Sequence, residues 1–256
     1  MCIRDSYYSL DLARRPVSNS LLAYSGVHDP VTGETWGGVR SNGLNFYAGR
    51  DITTEEFGAF GFFAQGGAHY LEGQNVKTNA DLMLRTGADW TFINMEEMRL
   101  SIGLTGMFWA FANNQRHYTF GYGGYWSPQT YLSMGPPIFW TGRWNDLSYL
   151  LRAYINYSYS SENGGPFYPL NPELQFSDYN NNASYPASTG TAISYGFSGN
   201  IEYQLLPDFF IGAHFQFAQS PFYTPNYGGA YFRYSFAPRT ESIPYPPEPL
   251  LPYYRF

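Results

Sequence analysis

The stretch TNADLMLRTGADWTF, Thr78 to Phe92, decides the fold, because apolar and polar residues alternate along its whole length. One set of alternate positions reads Ala80, Leu82, Leu84, Thr86, Ala88, Trp90 and Phe92. The other reads Asp81, Met83, Arg85, Gly87, Asp89 and Thr91. Side chains at i, i+2 and i+4 share one face of a strand, so this segment is a strand with one apolar and one polar face. It outruns the roughly five or six residues of an ordinary soluble strand. It is long enough for the roughly 9–11 residues that cross a bilayer.

The same pattern recurs outward from it. Met98 to Ala112 and Leu147 to Tyr159 alternate clearly, as do Phe57 to Tyr70, Ile193 to Leu205, Phe209 to Gln219 and Gly228 to Phe236. Weaker versions cover Tyr7 to Val17, Trp36 to Ala48 and Gln129 to Gly142. About ten strands result. Their connections fall into two sets. Leu206 to Asp208, Arg143 to Asp146, Asn94 to Glu97 and Asp51 to Glu56 are short. Ser220 to Asn226, Ser160 to Ala192, Ala112 to Pro128, Leu71 to Lys77 and Ser18 to Thr35 are longer on the whole. Outer-membrane barrels pair short periplasmic turns with long extracellular loops. The pattern predicts an all-β, antiparallel transmembrane β-barrel, with Asn113 to Pro128 and Ser160 to Ala192 on the cell exterior. A cysteine at Asn181 would then be labelled from outside. The longest loop, rich in turn formers at Asn163 to Pro166 and Asn180 to Asn182, is expected to lie outside any core.

Composition agrees. Charged residues make up 13% of the 256 positions, against roughly 25% in an average soluble domain. Aromatics reach 20%, and the 14 basic and 20 acidic residues leave a net charge of -6. Nucleic-acid binding needs a basic surface and is excluded. The one cysteine, Cys2, rules out a disulfide framework and a cysteine metal site, and the four histidines have no metal-ligand spacing. A mean hydropathy of −0.35 argues against membrane helices, and the best apolar run, Leu100 to Ala112, is broken by Ser101, Gly103, Thr105 and Gly106. A secreted carbohydrate-binding β-sandwich would share the aromatics, but it would carry more charge and has no reason to sort its loops.

No nucleophile elbow, Walker loop or zinc-protease motif occurs, and no catalytic, metal or cofactor residue is assigned. Paired carboxylates at Glu55-Glu56 and Glu96-Glu97 fall in short turns and point apart. A barrel-borne enzyme acting on lipid or polysaccharide would have only His69 or His214 to call on, with no nucleophile at a readable spacing. The polar faces are more informative. Gln65, His69, Asp81, Arg85, Asp89, Arg99, Arg152, Asn156, Glu202, Gln204, His214, Gln216 and Arg233 are interleaved with Trp109, Tyr131, Tyr154 and Tyr231. Planar polar groups beside aromatic rings suit sugars; mixed charges that merely brace a barrel interior are the alternative. Arg85, Arg99, Arg152 and Arg233 are expected to face water inside the barrel, because an arginine on the lipid face costs roughly 2–4 kcal/mol at the midplane. Replacing one of them with leucine is expected to leave assembly largely intact.

Three stretches of organisation follow. Met1 to Ser6 contains Arg4 and Asp5 with no apolar run behind them, so it reads as a non-native or truncated start and not a signal peptide. Residues 7–236 form the barrel domain. Residues 237–256 carry Pro244, Pro246, Pro247, Pro249 and Pro252 and cannot form a strand. That tail is either an extended disordered segment or a lining that folds back into the periplasmic mouth.

Several segments resemble a known family, the C-terminal outer-membrane barrel domain of cellulose synthase operon protein C. The resemblance rests on RRPVSNSLLAYSGVHDPVTGETWGGV (Arg14 to Val39), HYLEGQNVKTN (His69 to Asn79) and NNQRHYTFGYGGYWSPQTYLSMGPPIFWTGR (Asn113 to Arg143). It continues in NGGPFYP (Asn163 to Pro169) and YGGAYFRYSF (Tyr227 to Phe236). It implies a non-enzymatic channel in the outer membrane of a Gram-negative cell, exporting a β-glucan, cellulose first among candidates. It also implies outer-membrane lipid, an upstream periplasmic helical-repeat region and the inner-membrane cellulose synthase machinery as partners. Family barrels have more strands, so the chain is expected to be a C-terminal part of a larger barrel.

Overall fold

The computed structural model describes residues 6–54, 58–220, 224 and 226–236. Met1 to Asp5, the Glu55-Glu56 pair and the proline-rich tail lie outside the described residues. In chain order the elements are β1 (Ser6–Pro16), α1 (Leu21–Ser25), β2 (Val27–His28), β3 (Thr35–Thr54), β4 (Gly58–Gln74), β5 (Asn79–Asn94) and β6 (Met98–Phe111). There follow β7 (Thr130–Gly135), β8 (Pro137–Trp144), β9 (Leu147–Glu162), β10 (Gly165–Pro166), α2 (Pro172–Gln175) and β11 (Ser184–Tyr185). β12 (Ser188–Leu206), β13 (Phe209–Gln219) and β14 (Tyr227–Tyr234) complete the elements among the described residues.

One antiparallel sheet holds nearly all of this, in the order β1-β3-β4-β5-β6-β7-β9-β12-β13-β14. β8 pairs with β6 and β9 as β7 does, and the register carries straight through: Thr105 faces Gly135 and Ile102 faces Ile138. β7 and β8 are therefore one strand. Pro136, which has no N–H to give the ladder, interrupts it without shifting it. Neighbours in the sheet are neighbours in sequence, so each strand pairs back on the last through a local hairpin. Two connections are two residues long, Asn145-Asp146 between β8 and β9 and Pro207-Asp208 between β12 and β13, and in the first Asn145 takes a positive φ of 52°.

The sheet has two unlike faces. Its outer face carries Leu82, Leu104, Met134, Ile155, Tyr157 and Ile193, all exposed, with Leu104 at 53% and Ile193 at 62%. A water-soluble sheet would bury that face; an apolar wall meeting lipid has no such need. The strands overrun the alternation at both rims. β3 continues past Ala48 to Thr54, and β12 begins at Ser188, well before Ile193. Apart from Ile52 and Ala192 those extensions carry polar residues or glycine, so pairing persists where the apolar pattern has thinned. β4 likewise runs to Gln74, which leaves only residues 75–78 before β5.

Packed apolar residues lie elsewhere, at the rim where the long connections meet. Ala23, Val39, Leu71, Val76, Phe111 and Tyr125 form one buried cluster; Leu22, Trp36, Phe120 and Tyr122 form another. Tyr168 and Tyr185, from the longest connection, pack against the second. The expectation that this loop stays outside any core is therefore corrected: its turn formers shape small elements (β10, α2, β11) that press two tyrosines onto the cluster. The loops between β1 and β3, β6 and β7, and β9 and β12 together make a cap.

Candidate functional site

Register builds the polar face residue by residue, since directly opposed residues of an antiparallel pair share a face. Gln65 faces Arg85, His69 faces Asp81, Met83 faces Trp109, and Trp109 faces Tyr131. Arg152, Tyr154 and Asn156 continue that face on β9, opposite Ser198, Gly196 and Ser194 of β12. Glu202 faces Gly212, Gln204 faces Phe210, Gln216 faces Tyr227, Gly212 faces Tyr231 and Phe210 faces Arg233. Asp89, Arg99 and His214 fall on it too, opposite Gly61, Thr141 and Asn200. Every residue singled out from the sequence thus stands on one face. They are not one cluster on it.

Five of them, Gln65, His69, Asp81, Arg85 and Trp109, gather beneath the cap around a cavity of about 750 Å³. At its wall, His69 Nδ1 donates to Asp81 Oδ1 at 2.8 Å, and Trp109 Nε1 donates to the same oxygen at 3.1 Å. His69 Nε2 stands 3.1 Å from Asn45 Oδ1. Asp81 is buried, and two donors on one carboxylate oxygen meet the cost of that burial. Glycine makes room for the imidazole. Gly43 lies directly opposite His69, and a Cβ there would overlap the ring. His69 faces an amide oxygen and not a hydroxyl or thiol, so it is not set as the base of a nucleophile.

Glu202, Tyr231 and Arg233 form a second group, close to the short Pro207-Asp208 turn. Glu202 accepts from Arg233 Nε at 3.0 Å, from Arg233 Nη2 at 2.5 Å and from Tyr231 Oη at 3.1 Å. The Arg233 guanidinium also lies 3.8 Å from the centre of the Phe210 ring. Gln216 accepts from Tyr227 Oη at 2.8 Å.

Sequence reasoning missed the residues the cap supplies. Trp126 reaches down to Trp109 and Tyr131 as an edge-on neighbour of both, at 6.0 and 5.1 Å between ring centres. Its Nε1 donates to Glu162 at 3.0 Å, and Arg116 Nη1 donates to both oxygens of that buried carboxylate at 2.9 and 3.0 Å. Asn79 ties the β5 rim to the cap through Tyr125 Oη and the Asn113 carbonyl. His117 stacks face to face on Tyr185 at 3.6 Å and meets Tyr122 edge-on. Burial, then the Arg116 charge, lowers the His117 pKa from its ordinary value while Glu162 opposes them, so the neutral ring is favoured. Burial followed by the neighbouring Tyr185 pushes the Tyr122 phenol up to about 12. The one sequence signal for this cap was the run of aromatics between glycines from Phe120 to Trp126.

The family model described as "Cellulose synthase operon protein C C-terminus" matches residues 2–237. A protein named cellulose synthase operon protein C in Salmonella typhimurium (strain LT2) is 34% identical over 251 residues, 96% of this chain and 21% of the relative. One of the same name in Pseudomonas fluorescens (strain SBW25) is 31% identical over 242 residues, 94% of this chain and 18% of the relative. The chain thus spans about a fifth of the length of the curated relatives it matches. Among solved structures, the β domain of the Bordetella autotransporter Brka covers 90% of each chain at 11% identity, and its TM-score of 0.29 is too low to bear on the fold.

Proposed function

Since the chain belongs to the family of cellulose synthase operon protein C C-termini, we propose that its sheet is part of the wall of an outer-membrane conduit. Through it a β-glucan, cellulose first among candidates, leaves a Gram-negative cell. One observation carries the reading: a single sheet sets an exposed apolar face against a face of polar and aromatic side chains around a cavity. The wall guides and does not react. Polymerisation belongs to an inner-membrane synthase, and the periplasmic helical-repeat region of the whole protein delivers the chain. The hydrogen-bonded carboxylates Asp81 and Glu202 brace the wall, while the aromatic rings between them present surfaces to a passing sugar.

In cells, the whole protein with this domain deleted should still permit polymer synthesis but lower surface cellulose, read by dye binding, to background. Unchanged surface cellulose would defeat the conduit reading. Orientation has its own test. Asn181 and Asn182 hold positive φ values of 44° and 57°, so a cysteine is better placed at Tyr179, which is 95% exposed. Tyr179→Cys should react with a membrane-impermeant maleimide on intact cells. Labelling only after outer-membrane permeabilisation would put the cap on the periplasmic side.

A further inference from the structure

Charge on the outer face is confined to one part of the sheet. Among the described residues, the outward positions of β5 through β9 and of β12 through β14 carry no charged side chain. Those of β1, β3 and β4 carry four: Arg14, Arg40, Arg50 and Glu72. Val39 and Leu71 are buried in the cap cluster, so the pleat turns their neighbours Arg40 and Glu72 outward. Arg40 and Arg50 lie ten positions apart on β3, within the roughly 9–11 residues a tilted strand needs to cross the hydrocarbon. Arg50 therefore marks one border of the lipid-facing band, and Arg14, Arg40 and Glu72 mark the border beneath the cap.

The border beneath the cap has a definite geometry. Arg14 stands opposite Asn42, and Arg40 opposite Glu72, so the two arginines are diagonal neighbours on β1 and β3. Arg14 Nη2 donates to Glu72 Oε1 at 3.2 Å, and Asn42 Nδ2 donates to the same oxygen at 3.3 Å. Arg40 Nη1 reaches the Tyr24 carbonyl at 3.4 Å. Two guanidinium groups against one carboxylate leave this corner positive. The Arg14 side chain is 66% exposed, and a guanidinium has more donors than the contact with Glu72 uses. Beside it lies an open groove of about 690 Å³, lined by Leu12, Leu44 and Tyr70 with Ala68 and Ala80 between them.

We propose that this corner of the outer wall binds a phosphorylated, acylated glycolipid of the outer leaflet, the lipid A portion of lipopolysaccharide. A phosphate sits between Arg14 and Arg40, and an acyl chain lies in the groove along Leu12, Leu44 and Ala68. The site rests on the outer-membrane placement proposed above, with the cap outward. Both ends of the lipid are matched. Guanidinium groups give a phosphate paired, charge-assisted hydrogen bonds, and the groove takes hydrocarbon where bulkier side chains would fill it. Glu72 opposes the phosphate, but its charge is met by Arg14 and Asn42, and it holds the Arg14 fork in place. A second copy is the poorer occupant. Pairing about an axis along the membrane normal sets each patch against its own like at the same depth, so positive would meet positive.

The test uses the full-length protein, extracted from outer membranes and freed of lipid in detergent. Native mass spectrometry then follows the binding of added lipid A, dephosphorylated lipid A or phosphatidylglycerol. The wild type should bind lipid A more tightly than either of the others. Arg14→Gln/Arg40→Gln should weaken lipid A binding about tenfold, for the loss of both charged donors. Ala68→Leu keeps both arginines, fills the groove and should also weaken it. Both variants alter only the outer face and should keep the heat-modifiable gel mobility of a folded barrel. Unchanged lipid A binding in either variant, or equal binding of phosphatidylglycerol, would overturn the site and leave the conduit standing. So would a two-chain species that Ala68→Leu breaks up, which would give the groove to a second copy. If Tyr179→Cys is labelled only after permeabilisation, the placement itself fails and takes the site with it.

Discussion

Replacing Arg233 with methionine should destabilise the folded barrel by about 3–5 kcal/mol, the usual cost of stripping the partner from a buried ion pair. The Glu202 side chain is 3% exposed, and among the described residues two of its three side-chain hydrogen bonds come from Arg233. Without the guanidinium the buried carboxylate keeps, among the described residues, the Tyr231 hydroxyl alone, and the Phe210 ring loses the cation above it. Two further variants separate charge from packing. Glu202→Gln retains an acceptor and should cost less; Arg233→Met with Glu202→Leu removes both charges and should recover much of the loss. Heat-modifiable gel mobility of the full-length protein in detergent, followed against urea, reads the midpoint. A midpoint for Arg233→Met equal to wild type would show that Glu202 is solvated. The interior arginines are thus not equivalent, as the sequence had made them. The exposed Arg85 should accept leucine with assembly intact, whereas Arg233 should not.

An arginine at Leu104 and an arginine at Thr105 should have opposite outcomes, although the two positions are adjacent. Both sit near the middle of β6, and the pleat turns Leu104 to the outer face and Thr105 to the polar one. Leu104→Arg places a charge against hydrocarbon close to the midplane, at roughly 2–4 kcal/mol, and should sharply reduce the assembled fraction in outer membranes. Thr105→Arg adds a charge to a wetted, already charged wall and should assemble near wild-type levels. Membrane fractionation with immunodetection decides it. If Thr105→Arg fails and Leu104→Arg assembles, the two faces have been assigned the wrong way round.

The strands and their faces were legible because period-two alternation survives wherever one side meets lipid. Thr78 to Phe92 alone separated Asp81, Arg85 and Asp89 from Leu82, Leu84 and Trp90, and register places them on opposite faces. Legibility failed where the outer face need not be apolar. Asp51 to Thr54, polar but for Ile52, and Ser188 to Thr191, polar but for Gly190, are ladder-paired yet too poor in apolar residues to announce a strand. It failed again at the cap. Phe120 and Tyr122 follow no period, because they are buried by contacts between a loop and Leu22 of α1 and Trp36 at the start of β3, and not by the face of their own element. Glu162 and Arg116 carry no mark in the sequence, and only pairing across the cap buries the carboxylate. Individual roles on the polar face were equally hidden: alternation gives a side, but only register sets Trp109 on Asp81 or Tyr47 beside Phe63.

The cap also bears on the order in which the chain assembles. Each β-hairpin closes a short stretch of chain, whereas the cap joins distant ones: Asn79 to Tyr125 and Arg116 to Glu162 are each 46 residues apart, and Thr119 to Tyr185 is 66. Loop-closure entropy is spent before such contacts give anything back, so they form late unless something else has already brought their partners together. The zipped strands do that. Once β4 through β12 are aligned, the rim holds Asn79, Phe111, Glu162 and the flanks of both long loops as neighbours, and closing the cap costs little further chain entropy. A wall stalled midway leaves Trp36, Phe120 and Tyr122 uncovered. Burial of those rings thus marks completion, and a tryptophan fluorescence change from the cap should lag behind strand formation during refolding.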